Sequence, residues 1–256
     1  MVRARSPISD RLPAQLLVSK GALDRRWENL TEVIGRRLSY SRQQLQVSAD
    51  YTTERVSAGL IGSACERVTR NRGGASFVAP ISVLRDDFCA WLGLQEVWDV
   101  GGGQRPYAFK QLGLTVHFGS NGDPIKPQVF RSEWVGVRDW DGTGINFQSP
   151  GAGHPHWQID VMESMRIATR PVAFHPASDQ VEEFRDEATS VDTLVRSITI
   201  ESMHFASAAL WWTLPLADGL PLHVNAPADD ADLTRWLESS LAYIKQELER
   251  CRVRPS

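Results

Sequence analysis

The chain has 256 residues, of which 42% are hydrophobic and 23% charged, with a formal net charge of −3. This balance excludes extended disorder and gives no general pull toward nucleic acid or an anionic membrane surface, while the length suffices to bury a sizeable core. Three scattered cysteines, Cys65, Cys89 and Cys251, argue against a disulfide framework or a cysteine-based zinc site. The basic start Met1–Pro7 is not followed by the apolar core of a signal peptide, and no apolar run is long enough to cross a bilayer, so a cytoplasmic protein is expected.

In chain order, Ser9 or Asp10 is placed to cap a short helix through Leu12, Leu16 and Leu17 that stops near Gly21. A stronger helix follows. Leu23, Trp27, Leu30, Ile34 and Leu38 recur at three- and four-residue steps and form one apolar stripe, with Arg25, Arg26, Glu28, Glu32, Arg36 and Arg37 on the outer face. Val56, Leu60, Ile61, Ala64, Cys65 and Val68 suggest a second helix over 52–69, weakened by Gly59 and Gly62. The pair Gly73-Gly74 is the expected boundary between a helical N-terminal section, 1–72, and an α+β domain, 73–256. Pro80 is placed to open a further short helix with Ile81, Leu84, Phe88, Trp91 and Leu92 on its apolar side.

Gly101-Gly102-Gly103 is followed by Gln104-Arg105-Pro106 and not by the Lys-Ser/Thr of a phosphate-binding loop, so it reads as a turn. From there the pattern changes to short alternating runs. Leu114, Val116 and Phe118 share one strand face and Thr115 and His117 the other. Asn121-Gly122 signals a turn. In the next run Phe130 and Trp134 oppose Arg131 and Glu133. Tight turns between short strands predict an antiparallel meander.

The chemistry concentrates in Gly151–Asp160. A strand from Trp157 to Val161, entered through a Gly/Pro turn, places His154, His156, Gln158 and Asp160 on one face. Two imidazoles and a carboxylate together suit a divalent metal, Zn²⁺ or Mn²⁺, or a general base polarised by an acid. His175, His204 and His223 are further candidate ligands. The spacing lacks His-Glu-x-x-His and Cys-x-x-Cys, and the same residues also suit an ordinary turn and strand surface. The His154-Pro155 pair after Pro124 and Pro127 resembles ubiquitin-conjugating enzymes, yet the cysteine those enzymes carry shortly after His-Pro is missing, since the next is Cys251. A His-x-His followed by an acid is also similar to cupin metal sites, although the flanking glycine spacing differs.

Beyond 162 the pattern loosens, with an acidic stretch over 179–192 and an apolar run over 206–212. The last element is the clearest. Asp229 or Asp230 caps a helix with the stripe Leu233, Trp236, Leu237, Leu241, Ile244 and Leu248. The expected fold is therefore α+β, with an N-terminal helical section, a central antiparallel sheet and a C-terminal helix packed on it. With no complete catalytic motif, near-neutral charge and nine Trp, the leading functional expectation is a non-catalytic interaction or accessory component of a bacterial multiprotein system, with a protein partner. The alternative is a metal-dependent hydrolase built on His154, His156 and Asp160.

Overall fold

The structure, a computed structural model, describes residues 15–69, 75–85, 87–136, 155–159, 204–206 and 227–251. The expected strand over 145–148, the acidic stretch 179–192 and most of the apolar run 206–212 lie outside these residues. So do His154, Asp160, His175 and His223.

The architecture is α+β. Among the described residues, ten antiparallel strands form one sheet, ordered β10-β9-β8-β7-β6-β3-β2, with β1 beside β7, β5 beside β6 and β4 beside β5. The strands are β1 (Leu17–Val18), β2 (Gln46–Tyr51), β3 (Arg55–Ile61), β4 (Glu66–Thr69), β5 (Ala75–Arg85), β6 (Phe88–Val100), β7 (Tyr107–Ser120), β8 (Gln128–Val135), β9 (Pro155–Ile159) and β10 (His204–Ala206); the helices are α1 (Lys20–Leu38) and α2 (Asp230–Cys251). β7, β8 and β9 fall where the antiparallel meander was expected, and β6 and β10 extend it on either side. The central hairpin pairs β6 and β7 from Phe88↔Ser120 to Val100↔Tyr107. β5 and β3 share the other side of β6, one along each half.

Both helices cover one sheet face. α1 buries Leu23, Trp27, Leu30 and Ile34, and α2 buries the whole expected stripe from Leu233 to Leu248. These meet Leu92, Leu94, Trp98, Leu112, Leu114, Val116 and Trp134 from the sheet in one apolar core. Each large side chain so buried contributes about 1.5–3 kcal/mol. Trp134 stands edge-on to Trp236, and Trp157 edge-on to Tyr243, so aromatic contacts bind the β8-β9 end of the sheet to α2. Asp229 caps α2 by accepting from Asp232 N–H. Among the described residues, no helix is long and apolar enough to cross a membrane.

Several local expectations are corrected. Leu17 is not helical but pairs with Ala108 in the sheet, and α1 starts after it, capped by Ser19. The helix expected over 52–69 is the strands β3 and β4. Val56, Ala58 and Leu60 alternate into the core at period two, which the helical stripe Val56-Leu60 disguised. Gly62 ends β3 at φ +135, and a Cβ there would strike the Gln44 carbonyl, so the position requires glycine. The helix expected from Pro80 to Leu92 is the hairpin β5-β6. Pro80 sits where the register slips, the strand position that tolerates a missing N–H. Arg26, read as solvated, is buried.

Candidate functional site

Three groups of charged residues among the described ones are set by the sheet. The first lies under the helices. Glu96 falls on the core face of β6, between Leu94 and Trp98, and an ionised carboxylate there demands a partner. Arg26 of α1 supplies it through two bonds, Nε to Oε1 at 2.6 Å and Nη2 to Oε2 at 2.8 Å. Trp98 Nε1 donates to Oε1 at 2.6 Å. The remaining guanidinium nitrogen donates to the Asp230 carbonyl at 2.9 Å and to Thr234 Oγ1 at 3.1 Å. Side-chain exposure is 1% for Arg26 and 0% for Glu96. This network pins α1, β6 and the start of α2 together and is closed to any ligand.

The second lies on the opposite face, where β4 meets the turn between β7 and β8. Lys126 is buried, with its Nζ donating to Glu66 Oε2 and to the Asp123 carbonyl, each at 2.5 Å, and lying 4.3 Å from the centre of the Trp91 ring. Both Glu66 oxygens accept from Gly122 N–H. His117 Nδ1 faces the Lys126 carbonyl at 2.9 Å, so that nitrogen carries the proton, and Nε2 accepts from Thr115 Oγ1 at 2.9 Å when the ring is neutral. Gly93 makes room for that hydroxyl, because a Cβ there would strike it. Val68, Val78, Cys89 and Trp91 fill the small core beneath. Both nitrogens of His117 are thus engaged in holding the turn. Burial pushes the Cys65 thiol up to about 11 and raises that of Cys89 as well, which removes both as ready nucleophiles.

The third holds His156, the one member of the expected His154-His156-Asp160 set that is described. His156 lies on β9 directly opposite Glu133 of β8, and Gln158 opposite Arg131. Cross-strand partners share a face, and this face is turned away from the helices, because Trp157 and Trp134 take the other. His156 Nε2 stands 3.5 Å from Glu133 Oε2, and Arg131 Nη1 donates to Glu133 Oε1 at 3.4 Å. Side-chain exposures are 9%, 21% and 17% for His156, Glu133 and Arg131. Glu133 therefore bridges two basic groups at a place that solvent reaches. On the neighbouring strands the row continues with Gly113 opposite Glu133 and Gln95 opposite Gly113. At the other end, His204 of β10 pairs with Gln158.

Of the expected set, His156 is on the predicted face, while His154 and Asp160 lie outside the described residues. Among the described residues no three His, Cys, Asp or Glu side chains converge as a metal cluster. The acid beside His156 is Glu133, which sequence proximity does not reveal because it comes from another strand. Its placement on the polar side of β8 was the available signal. The chain matches no family model, no curated protein and no solved structure.

Proposed function

We propose that the protein is a non-catalytic interaction component, a subunit or accessory factor of a multiprotein assembly, and that it docks a protein partner through the Arg131-Glu133-His156 face. The observation that supports this is a cross-strand charged row on the sheet face turned away from α1 and α2, with Arg131 and Glu133 partly exposed and His156 buried at its end. Its charges are already oriented by one another, so little side-chain entropy is lost on docking, and complementary charge would set register and partner choice. A bacterial source and a cytoplasmic location go with this reading. The full chain, tagged and expressed in its own source, is expected to elute well above monomer size. Glu133→Arg is expected to return it to the monomer position without loss of thermal stability. A wild-type chain that elutes as a monomer there overturns the proposal.

A metal-dependent hydrolase is the second reading, and one observation favours it: a buried imidazole and a partly exposed carboxylate face each other across β8 and β9. Turnover of ester or phosphoester substrates with added Zn²⁺ or Mn²⁺, abolished in His156→Ala, is its test. Equal turnover by the variant rejects it.

A further inference from the structure

We infer that the turn between β7 and β8 is a two-position switch, with Lys126 seated against the sheet in one position and Ile125 in the other, and that Glu66 selects between them. The inference stands apart from the interaction reading. Ile125 and Lys126 are neighbours in sequence, yet their burial is the reverse of their chemistry. Ile125 is 54% exposed, whereas the Lys126 side chain is fully covered. Burial favours isoleucine, and lysine is almost never fully buried unless it is paired.

The seat itself is mostly apolar. Lys126 runs over the backbone of Gly119, where a Cβ would come within 2.8 Å of Lys126 Cγ. Its Nζ lies over the ring of Trp91, which clusters with Val68, Val78 and Cys89. Two acceptors hold the ammonium there. The Asp123 carbonyl belongs to the turn and moves with it, whereas Glu66 belongs to β4 and does not. Glu66 also accepts from Gly122 N–H, so it fixes the turn from outside. Slack for a second position is present. Between Val116↔Phe130 and His117↔Gln128, β8 carries one extra residue, Val129. A slip of one residue exchanges the side chain that points inward, so a shift of this extra residue puts Ile125 on Trp91 and Lys126 in water. With the Glu66 charge present, the ion pair outweighs the apolar gain. With that charge removed, the lysine is left buried without its counterion and the balance reverses.

The test is footprinting of the full chain, read by peptide mass spectrometry at two side chains: acetylation of the Lys126 amine and hydroxyl-radical oxidation of Ile125. In the wild-type chain Lys126 is expected to be protected relative to the exposed Lys20, and Ile125 to be oxidised readily. In Glu66→Gln, Lys126 acetylation is expected to rise about tenfold and Ile125 oxidation to fall about tenfold. Opposite changes are the signature of an exchange, because a turn that merely loosens exposes both. Ile125 oxidation that stays level or rises in a folded Glu66→Gln chain overturns the switch. Where that variant loses its melting transition, Lys126→Ser carries the test, since it empties the seat and leaves Glu66 in place. A fall in Ile125 oxidation there supports the switch, and no fall, or loss of the fold in both variants, overturns it.

Discussion

Two carboxylates of this sheet, Glu96 and Glu133, are each held by an arginine, and they serve opposite ends. Glu96 faces the helices, accepts from Arg26 and Trp98, and is shut from solvent. Glu133 faces the other way, lies between Arg131 and His156, and is partly open. The chemistry is nearly the same, and the face of the sheet decides the role. A sealed ion pair gains little over an apolar substitute but becomes costly once one partner is removed. A pair that solvent still reaches is partly screened and contributes less to stability. The difference is the ground on which we propose the face turned away from the helices as the one that binds a partner.

The largest way to break the sealed side is to remove its helix. A chain beginning at Gly74 loses α1 and the strands β1 to β4, leaving Glu96 without Arg26 and the β3 side of β6 unpaired. We expect no cooperative unfolding transition by circular dichroism. A sharp transition near that of the full chain would show that residues 73–256 hold a core of their own. Next in size is Leu237→Ala on α2, where the side chain is fully buried. A loss of about 2–5 kcal/mol is expected from urea denaturation. A loss below about 1 kcal/mol would place α2 off the sheet.

The smallest effect is a titration on the covered side. Burial raises Tyr51 to about 12 and Cys65 to about 11. Both groups hold their proton more tightly when folded. Their contribution to stability is therefore complete below the unfolded values, near 10 and 9, and is lost as pH rises through about 12 and about 11. Melting temperature should accordingly fall above pH 9. Mapped alkylation of Cys65 at pH 8 should run about tenfold slower than in unfolded chain, because less thiolate is present while each thiolate is more nucleophilic. Equal rates in folded and unfolded chain would mean that Cys65 is not covered.

How far the sequence discloses this contrast depends on the range of the interactions. The α2 stripe is local, six apolar residues at helical spacing, and every one is buried. The two faces of β7 and β8 are also legible, because alternation alone separates Thr115 and His117 from Leu114 and Val116, and Glu133 from Trp134. Residues 52–69 misled because Val56 and Leu60 fit both a helical step of four and two strand steps of two, and pairing with β2 and β6 decided between them. Arg26 misled for a different reason. Three residues after Leu23 and four before Leu30, it borders the apolar stripe of α1, and its charge alone argued for solvent; its partner is 70 residues away, and only the tertiary fold brings them together. The clue was Glu96 itself, a charge inside an apolar run, which a buried strand tolerates only with a partner. Register is likewise nonlocal, so the acid beside His156 proved to be Glu133.

The most direct measurement of the central claim is a pair of double-mutant cycles by urea denaturation, one on Arg26 and Glu96 and one on Arg131 and Glu133. Glu96→Gln is expected to cost about 3–5 kcal/mol, with strong coupling to Arg26→Met. Glu133→Gln is expected to cost below about 1 kcal/mol, with coupling of a few tenths to Arg131→Met. Equal coupling in the two cycles, or a larger one at Glu133, would contradict the assignment of one network to the fold and the other to binding.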